Sequence, residues 1–415
     1  MDNFMPGPLN WPDVRILSTQ RTEQGHWLIR VESPLEGAQC RHGGREIRDF
    51  HGWDAAVRLR HLPLFDGPVF VEMRPTRYRC PFCAGNPTTT PPCAWDEPRS
   101  PHTQAYEHWA LRLLIHSTVS DAARQLSVSE ETSEGLLDRW IARPVDWGTW
   151  DRLGGIGLEE IALTRGHRDV VVVVTTPLAG GGVDILAVLG DRQKATGVAF
   201  LRAMPAALRG TSERACTEMS EGFVRASAEE VPWAEVVSER FHVARASRDG
   251  ADTVRQKALP RRKSARPPAE YAASKGARWP FRKRPAGLEP QEWELLERVF
   301  TWSPTLEEAD HLREDLTELF ARDSTQAGAK GAMRAWDKRV HASGLAECES
   351  VLGTLDRWMD QITHDFQDRQ TSGFVEGFNN RVQVLKRRCD GIFDVGRLCQ
   401  RLTLDRHGYQ LFGHS

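Results

Sequence analysis

The chain has 415 residues, 27% of them charged, with a net charge of −2; it can bury a substantial core, spread over roughly two to four domains, but shows no global basic signature. Any role on nucleic acid must therefore come from local patches. Eight cysteines in so long a chain make no disulfide framework, and with no run of about 18 apolar residues and no signal-peptide pattern in MDNFMPGPLNWPDV, a cytoplasmic protein without membrane partners is expected.

Residues 16–79 alternate apolar and polar side chains, as in HWLIRVES and GPVFVEMRPTRYRC, which predicts short antiparallel strands. Cys80 and Cys83 then form a CxxC with Gly85 behind it, as in a zinc knuckle, and Cys40 begins CRHGG. A structural zinc site takes four ligands, and three cysteines leave one position unassigned. His42, His51 and Cys93 are the candidates for it. The alternative is a degenerate knuckle held by its hydrophobic contacts. Residues 1–98 make up this β-rich first part.

Residues 99–145 read as a helical module. Apolar periodicity covers 105–115, and STVSDAARQLSVSEET spells helix, tight turn, helix, with Ala122, Ala123 and Leu126 inward and Ser129 capping the second helix. This is the pattern of a helix-turn-helix, whose second helix enters the major groove of DNA. Here that helix carries Glu130, Glu131, Glu134 and Asp138 against Arg139 alone. Phosphates repel such a face, so contact with protein, or with few bases, is the rival reading.

From residue 156 the text becomes a strand series. GIGLEEIAL, DVVVVVTTPL and VDILAVL surround a glycine-rich hairpin; a helix over 195–208, a strand ERACTEM, another helix and a strand EVVSERFHV follow. Residues 150–254 thus form an α/β part. Residues 255–284 then hold eleven Lys or Arg against a single acid, Glu270, with Tyr271, Trp279 and Phe281 interleaved. Such a segment suits a clamp on the DNA backbone, with Arg261, Arg262, Lys263, Lys283 and Arg284 as contacts, or else a solvated basic linker. Residues 288–366 read as helices rich in Glu, Leu and Trp, with Trp293, Trp302, Trp336 and Trp358 expected in their core; with the basic segment they make a 255–366 insertion.

In TSGFVEGFNNRVQVLKRR, residues 371–388, Val375, Phe378, Val382 and Leu385 recur at helical spacing, while Glu376, Asn380, Gln383 and Arg387 recur on the other face. Thr371 and Ser372 are candidate caps. A carboxylate that could hold a metal, then two amides, then Lys386, Arg387 and Arg388, suits an enzyme of the nucleic-acid backbone; the plainer reading is an amphipathic surface helix.

VEGFNN followed by LKRR and GIF resembles the last catalytic block of the bacterial DDE transposases of the ISL3 family. The resemblance runs on through FDVGRLCQRLTLDRHGYQLF and back through GLEEIALTRGHRD, CTEMSEGF and ERFHVAR. It implies a ribonuclease-H-like fold resumed at 367–415 after the insertion, with Glu159, Glu218 and Glu376 converging as catalytic residues that hold Mg²⁺ or Mn²⁺. It also implies zinc on Cys40, Cys80 and Cys83, support from Arg165, His167, Arg240 and His242, and DNA contacts from Asn380, Lys386, Arg387 and Arg388. The expected partner is double-stranded DNA, as terminal inverted repeats and target, bound by a homo-oligomer at the bacterial nucleoid. The family pattern has aspartate at the first two catalytic positions, where this chain has glutamate, and DRFH where this chain has ERFH at Glu239. Each replacement adds a methylene, about 1.5 Å of reach, and a misplacement of about 1 Å can cost on the order of a hundredfold in rate. A catalytically impaired DNA-binding protein or repressor is therefore the alternative to an active transposase, with a metal-dependent nuclease that joins no strands as a third.

Overall fold

The alternating text of the first part does form strands, but not a purely antiparallel set. In the computed structural model, which describes residues 14–65, 67–142, 145–163, 170–238, 240–259, 267–368, 373–388 and 394–413, the nine strands are β1 (Arg15–Arg21), β2 (Trp27–Glu32), β3 (Ala38–Gln39), β4 (Glu46–Ile47), β5 (Asp49–Trp53), β6 (Val57–Leu64), β7 (Gly67–Met73), β8 (Thr76–Arg79) and β9 (Thr88–Thr89). Hairpins β1–β2 and β6–β7 lie side by side in the order β1-β2-β7-β6, so β2 and β7 pair in parallel, from Trp27 opposite Val69 to Val31 opposite Met73. Two hairpins joined by a long connection can meet this way, which corrects the expectation of antiparallel pairs throughout. Ile29, Val31, Leu59, Val69 and Val71 are buried on one face, as strand alternation requires. The small pairs β3–β4 and β5–β8–β9 surround a separate cluster of Ala38, Cys40, Ile47, Tyr78 and Cys80.

Three helices follow: α1 (Gln104–Leu114), α2 (Val119–Leu126) and α3 (Glu130–Trp140). Each begins at a hydroxyl residue, Thr103, Thr118 and Ser129, whose side chain accepts from a backbone N–H of the first turn. Ser127 ends α2 in the left-handed region at φ 52°, which makes the tight turn before α3. Leu111, Leu114, Ala122, Leu126, Leu136 and Leu137 form their core, with Leu404 and Phe412 from the end of the chain.

The larger unit, Arg143–Cys399, contains β10 (Gly155–Ala162), β11 (Val170–Pro177), β12 (Val183–Leu189), α4 (Lys194–Ala203), α5 (Ala206–Arg209), β13 (Arg214–Thr217), α6 (Glu221–Glu230), β14 (Glu235–Ser238) and α7 (Arg240–Ala258). The sheet order is β12-β11-β10-β13-β14; the first three strands are antiparallel, and β13 and β14 run parallel to β10. Val171 to Val174 are all buried, because a sheet covered on both faces takes a continuous apolar run rather than an alternating one. Ile156, Leu158, Val172 and Val174 pack with Leu201, Phe223 and Ala226 from α4 and α6. Pro205 divides the helix expected over 195–208. The strand expected through EVVSERFHV stops at Ser238, and the helix α7 begins at Arg240. Val243, Ser247, Ala251 and Val254 are buried at spacings of four, four and three, a helical stripe that outweighs the local β-branched text.

The insertion consists of α8 (Pro268–Gly276), α9 (Pro290–Trp302), α10 (Pro304–Ala321), α11 (Gln326–Ser343) and α12 (Glu349–Asp368), then α13 (Gly373–Arg388) and α14 (Val395–Phe412) complete the chain. Proline stands at the first position of α8, α9 and α10, where its missing N–H costs nothing. Leu296, Val299, Leu312, Leu316, Met333, Leu355 and Ile362 form one core with Val243 and Val254 of α7. Trp336 and Trp358 belong to it and Trp302 packs against it, whereas Trp293 is 40% exposed, contrary to expectation. Residues 400–415 group with 1–142 as the second unit, whereas the sequence reading keeps 367–415 together. No described helix is long and apolar enough to cross a membrane.

Candidate functional site

The glutamate pair in GIGLEEIAL lies on β10, where successive side chains point to opposite faces. Glu159 is fully buried. Glu160 shares the parity of Leu158, its side chain 14% exposed, with Oε2 accepting from Arg192 Nη1 at 3.2 Å. Leu158 pairs with Thr217 of β13, so Glu159 and Glu218 are the next pair along two parallel strands; the Glu218 N–H reaches the Leu158 carbonyl at 3.4 Å. The register thus brings two of the three expected acids to adjacent positions. Glu376 lies on α13, which packs against β10 and β12, but its side chain is outside the described residues. Phe378, Val382 and Leu385 are buried and Asn380 and Arg387 exposed, the two faces that the spacing predicts.

A cleft of about 440 Å³ opens beside this point, lined by Glu160, Glu218, Ser220, His242, Arg357 and Trp358 among others. Glu159 is not one of its lining residues. His242 Nε2 stands 3.9 Å from Glu218 Oε1; burial, and then the charge of Arg245, lower its pKa against the pull of Glu160, so the imidazole is held towards its neutral form. Glu160 and Glu221 are lining acids that the sequence analysis does not single out; for Glu160 a signal existed. Strand alternation was the available signal, since two adjacent glutamates must serve opposite faces.

Arg240, at the start of α7, donates to the Phe320 carbonyl at 3.0 Å and lies 3.5 Å from Asp365. It ties α7 to α10 and α12. Lys386 donates its ammonium to the Ala162 carbonyl, and burial, then Arg387, lower its pKa; this cation fastens α13 to the C-terminal end of β10. Arg165, His167, Glu239, Thr371 and Ser372 lie outside the described residues.

A second constellation is made by Cys40, Cys80 and Cys83, whose sulfurs lie within 4.8 Å of one another. Among the described residues no other three His, Cys, Asp or Glu meet this way. Cys40 Sγ is 3.8 Å from Cys83 Sγ. The backbone N–H groups of Gly43 and His42 bring the Cys40 thiol down to about 7, whereas the neighbouring Cys80 and burial push Cys83 up to about 11. Three sulfurs so placed can all ionise only around a cation, and their donor set suits zinc. A Cβ on Gly43 would stand 3.0 Å from Cys83 Sγ, so the loop at 43 passes close beside the sulfurs. His42 and His51 are exposed, and Cys93 belongs to the core of the first sheet.

The outer face of α3 keeps its acids exposed at Glu130, Glu131 and Asp138, and its one cation is tied to a carboxylate of the interior. Arg139 pairs with the fully buried Glu107 of α1, which also accepts from Ser100 Oγ at 2.6 Å and Trp140 Nε1 at 2.6 Å. Burial would push Glu107 up, but His102, Ser100, Trp140 and Arg139 together hold its carboxyl below the ordinary glutamate value.

Residues 156–402 match a family model described as the transposase of family ISL3, and residues 95–141 match the helix-turn-helix domain of the same family. The chain belongs to the ISL3 family of transposases. It is also similar to the transposase for insertion sequence element IS1001 of Bordetella parapertussis, 24% identical over 397 residues that cover 92% of this chain and 95% of that protein. The three helices α1 to α3 are therefore the family's DNA-binding domain.

Of the cations expected to hold DNA in this ISL3 transposase chain, Arg261, Arg262 and Lys263 lie outside the described residues. Lys283 Nζ pairs with Glu292 at 2.7 Å. Arg284 and Arg387 are exposed, and Arg388 is half-buried. Arg255 is buried against Asp252 at 2.7 Å, so the basic segment begins as part of a packed helix.

Proposed function

We propose that this chain is a DDE-type DNA transposase that binds the terminal inverted repeats of its own insertion sequence, cuts there, and joins the freed 3′ ends to target DNA. The register of β10 against β13 carries the reading, because it makes Glu159 and Glu218 neighbours while α13, the helix of Glu376, packs on the same strand. The sheet order, three antiparallel strands followed by two parallel ones, supports a ribonuclease-H-like domain. Glu159, Glu218 and Glu376 would hold Mg²⁺ or Mn²⁺, hard cations that take oxygen ligands. Such cations activate a water or a 3′-hydroxyl and stabilise the leaving oxygen. His242, kept towards neutrality, steadies the Glu218 carboxylate without competing as a cation, and Arg240 holds α7 in place for it. Cys40, Cys80 and Cys83 would hold zinc as a structural ion. Bridging two ends calls for at least a dimer on DNA, in the cytoplasm at the nucleoid.

One observation favours a second reading, a DNA-binding protein or repressor without catalysis: Glu159 is fully buried and does not line the cleft. A labelled repeat end incubated with Mg²⁺ or Mn²⁺ separates the readings. Joined products support the transposase, nicks alone support a nuclease, and a shifted but uncut band supports the binder.

A further inference from the structure

The turn between α8 and α9 contains an aromatic residue that the core does not use. Ala277 and Phe281 are each 1% exposed and Pro280 is buried, so the turn is anchored in the insertion core, while Trp279 between them is 65% exposed. Burying an indole in the core would stabilise the fold by a few kcal/mol, and Phe281, with the Arg313 guanidinium carbon 5.5 Å from its ring, takes that place instead. Trp279 is left in solvent with two other guanidinium groups over its ring, those of Arg278 at 5.4 Å and Arg282 at 5.5 Å from the centroid, cation–π contacts that mark its face as one that takes a flat cationic or aromatic group.

Arg282 is fixed there from below. Its Nη2 donates to Asp252 Oδ2 at 2.8 Å, and Asp252 also accepts from Arg255 at 2.7 Å and Gln256 at 3.0 Å. Lys275 and Arg278 are exposed and have no ion-pair partner among the described residues. Lys283 and Arg284 extend the patch, the first neutralised by Glu292. An anion would satisfy the cations alone. The flat apolar ring among them adds a demand for a π-face, and in DNA a base offers its face only where it is unstacked. Duplex backbone offers phosphate and sugar but no such surface.

We propose that Trp279 is a stacking platform for an unpaired nucleotide of DNA, with Lys275, Arg278 and Arg282 holding the flanking phosphates. The inference rests on the reading that this chain handles DNA ends, and goes beyond it by assigning a site for unpaired DNA to the insertion. The test measures binding of the full chain, by anisotropy, to labelled oligothymidylate and to a blunt duplex of equal length. Trp279→Ala is expected to weaken oligothymidylate binding by about five- to a hundredfold and to leave the duplex within about twofold, while Trp279→Phe, which keeps a ring, recovers most of the loss. Arg278→Gln is expected to weaken the single strand and flatten its salt dependence. Equal loss on both probes with Trp279→Ala, or no loss on either, overturns the platform. Wild-type binding to duplex but not to single strand overturns it too and leaves the DNA reading standing; binding to neither removes the DNA reading as well.

Discussion

At the scale of single residues, the adjacent glutamates of β10 carry most of the functional weight. Glu159 is fully enclosed, so its reach is set by the side chains packed around it rather than by solvent. Shortening it opens a void and draws the carboxyl back by about 1.5 Å. Glu159→Asp is therefore expected to lower strand joining by roughly ten- to a hundredfold, measured on a labelled repeat end; a gain in joining would mean that glutamate impairs the site. His61 gives a pH prediction of known sign. Burial lowers its pKa to about 4, and its Nδ1 lies 2.9 Å from Thr103 Oγ1. The folded form stays neutral while the unfolded chain takes up a proton near the ordinary histidine value of about 6.5. Stability is then full above pH 6.5 and falls as pH drops towards 4, by on the order of 3 kcal/mol from this group. Melting of the N-terminal unit followed across that window checks it, and His61→Leu is expected to flatten the profile.

At the scale of elements, the three-cysteine knuckle and the helix α3 show how far local text can be read. CxxC spacing identified two of the sulfurs, and the pairing of β5 with β8 and of β3 with β4 brings Cys40 to them. The nearness of a Cβ at 43 to Cys83 Sγ makes Gly43→Cys the natural way to complete four thiolates. That variant is expected to retain zinc at least about tenfold more strongly against a chelator, read as metal per chain after competition. Unchanged retention would mean that the loop cannot bring a fourth sulfur inward. In α3 the caps and the inward leucines follow from the text, because Ser129 and the apolar spacing are local signals. The destination of Arg139 does not. Its partner Glu107 lies 32 residues away and on another helix, a pairing that only packing creates. The start of α7 is likewise not legible locally, because the β-branched pair Val236 and Val237 of β14 stands just before it.

At the scale of the whole molecule, a chain of net charge −2 must gather its DNA affinity in patches. Neutralising Arg261, Arg262 and Lys263 together to Gln is expected to weaken duplex binding and to reduce the slope of log affinity against log salt by roughly 2–3; an unchanged slope would mean that this stretch touches no phosphate. The sequence by itself determined the family, because the resemblance rests on motifs that lie contiguous in the chain, and the helix-turn-helix and the two faces of α13, because those rest on spacing along it. It could not decide which glutamate faces the cleft, that Lys386 and Arg255 are spent on holding helices, or that Trp279 stands in solvent while Phe281 enters the core. Those are contests between side chains far apart in sequence for the same volume and the same partners, and they are settled only when the sheets and helices pack.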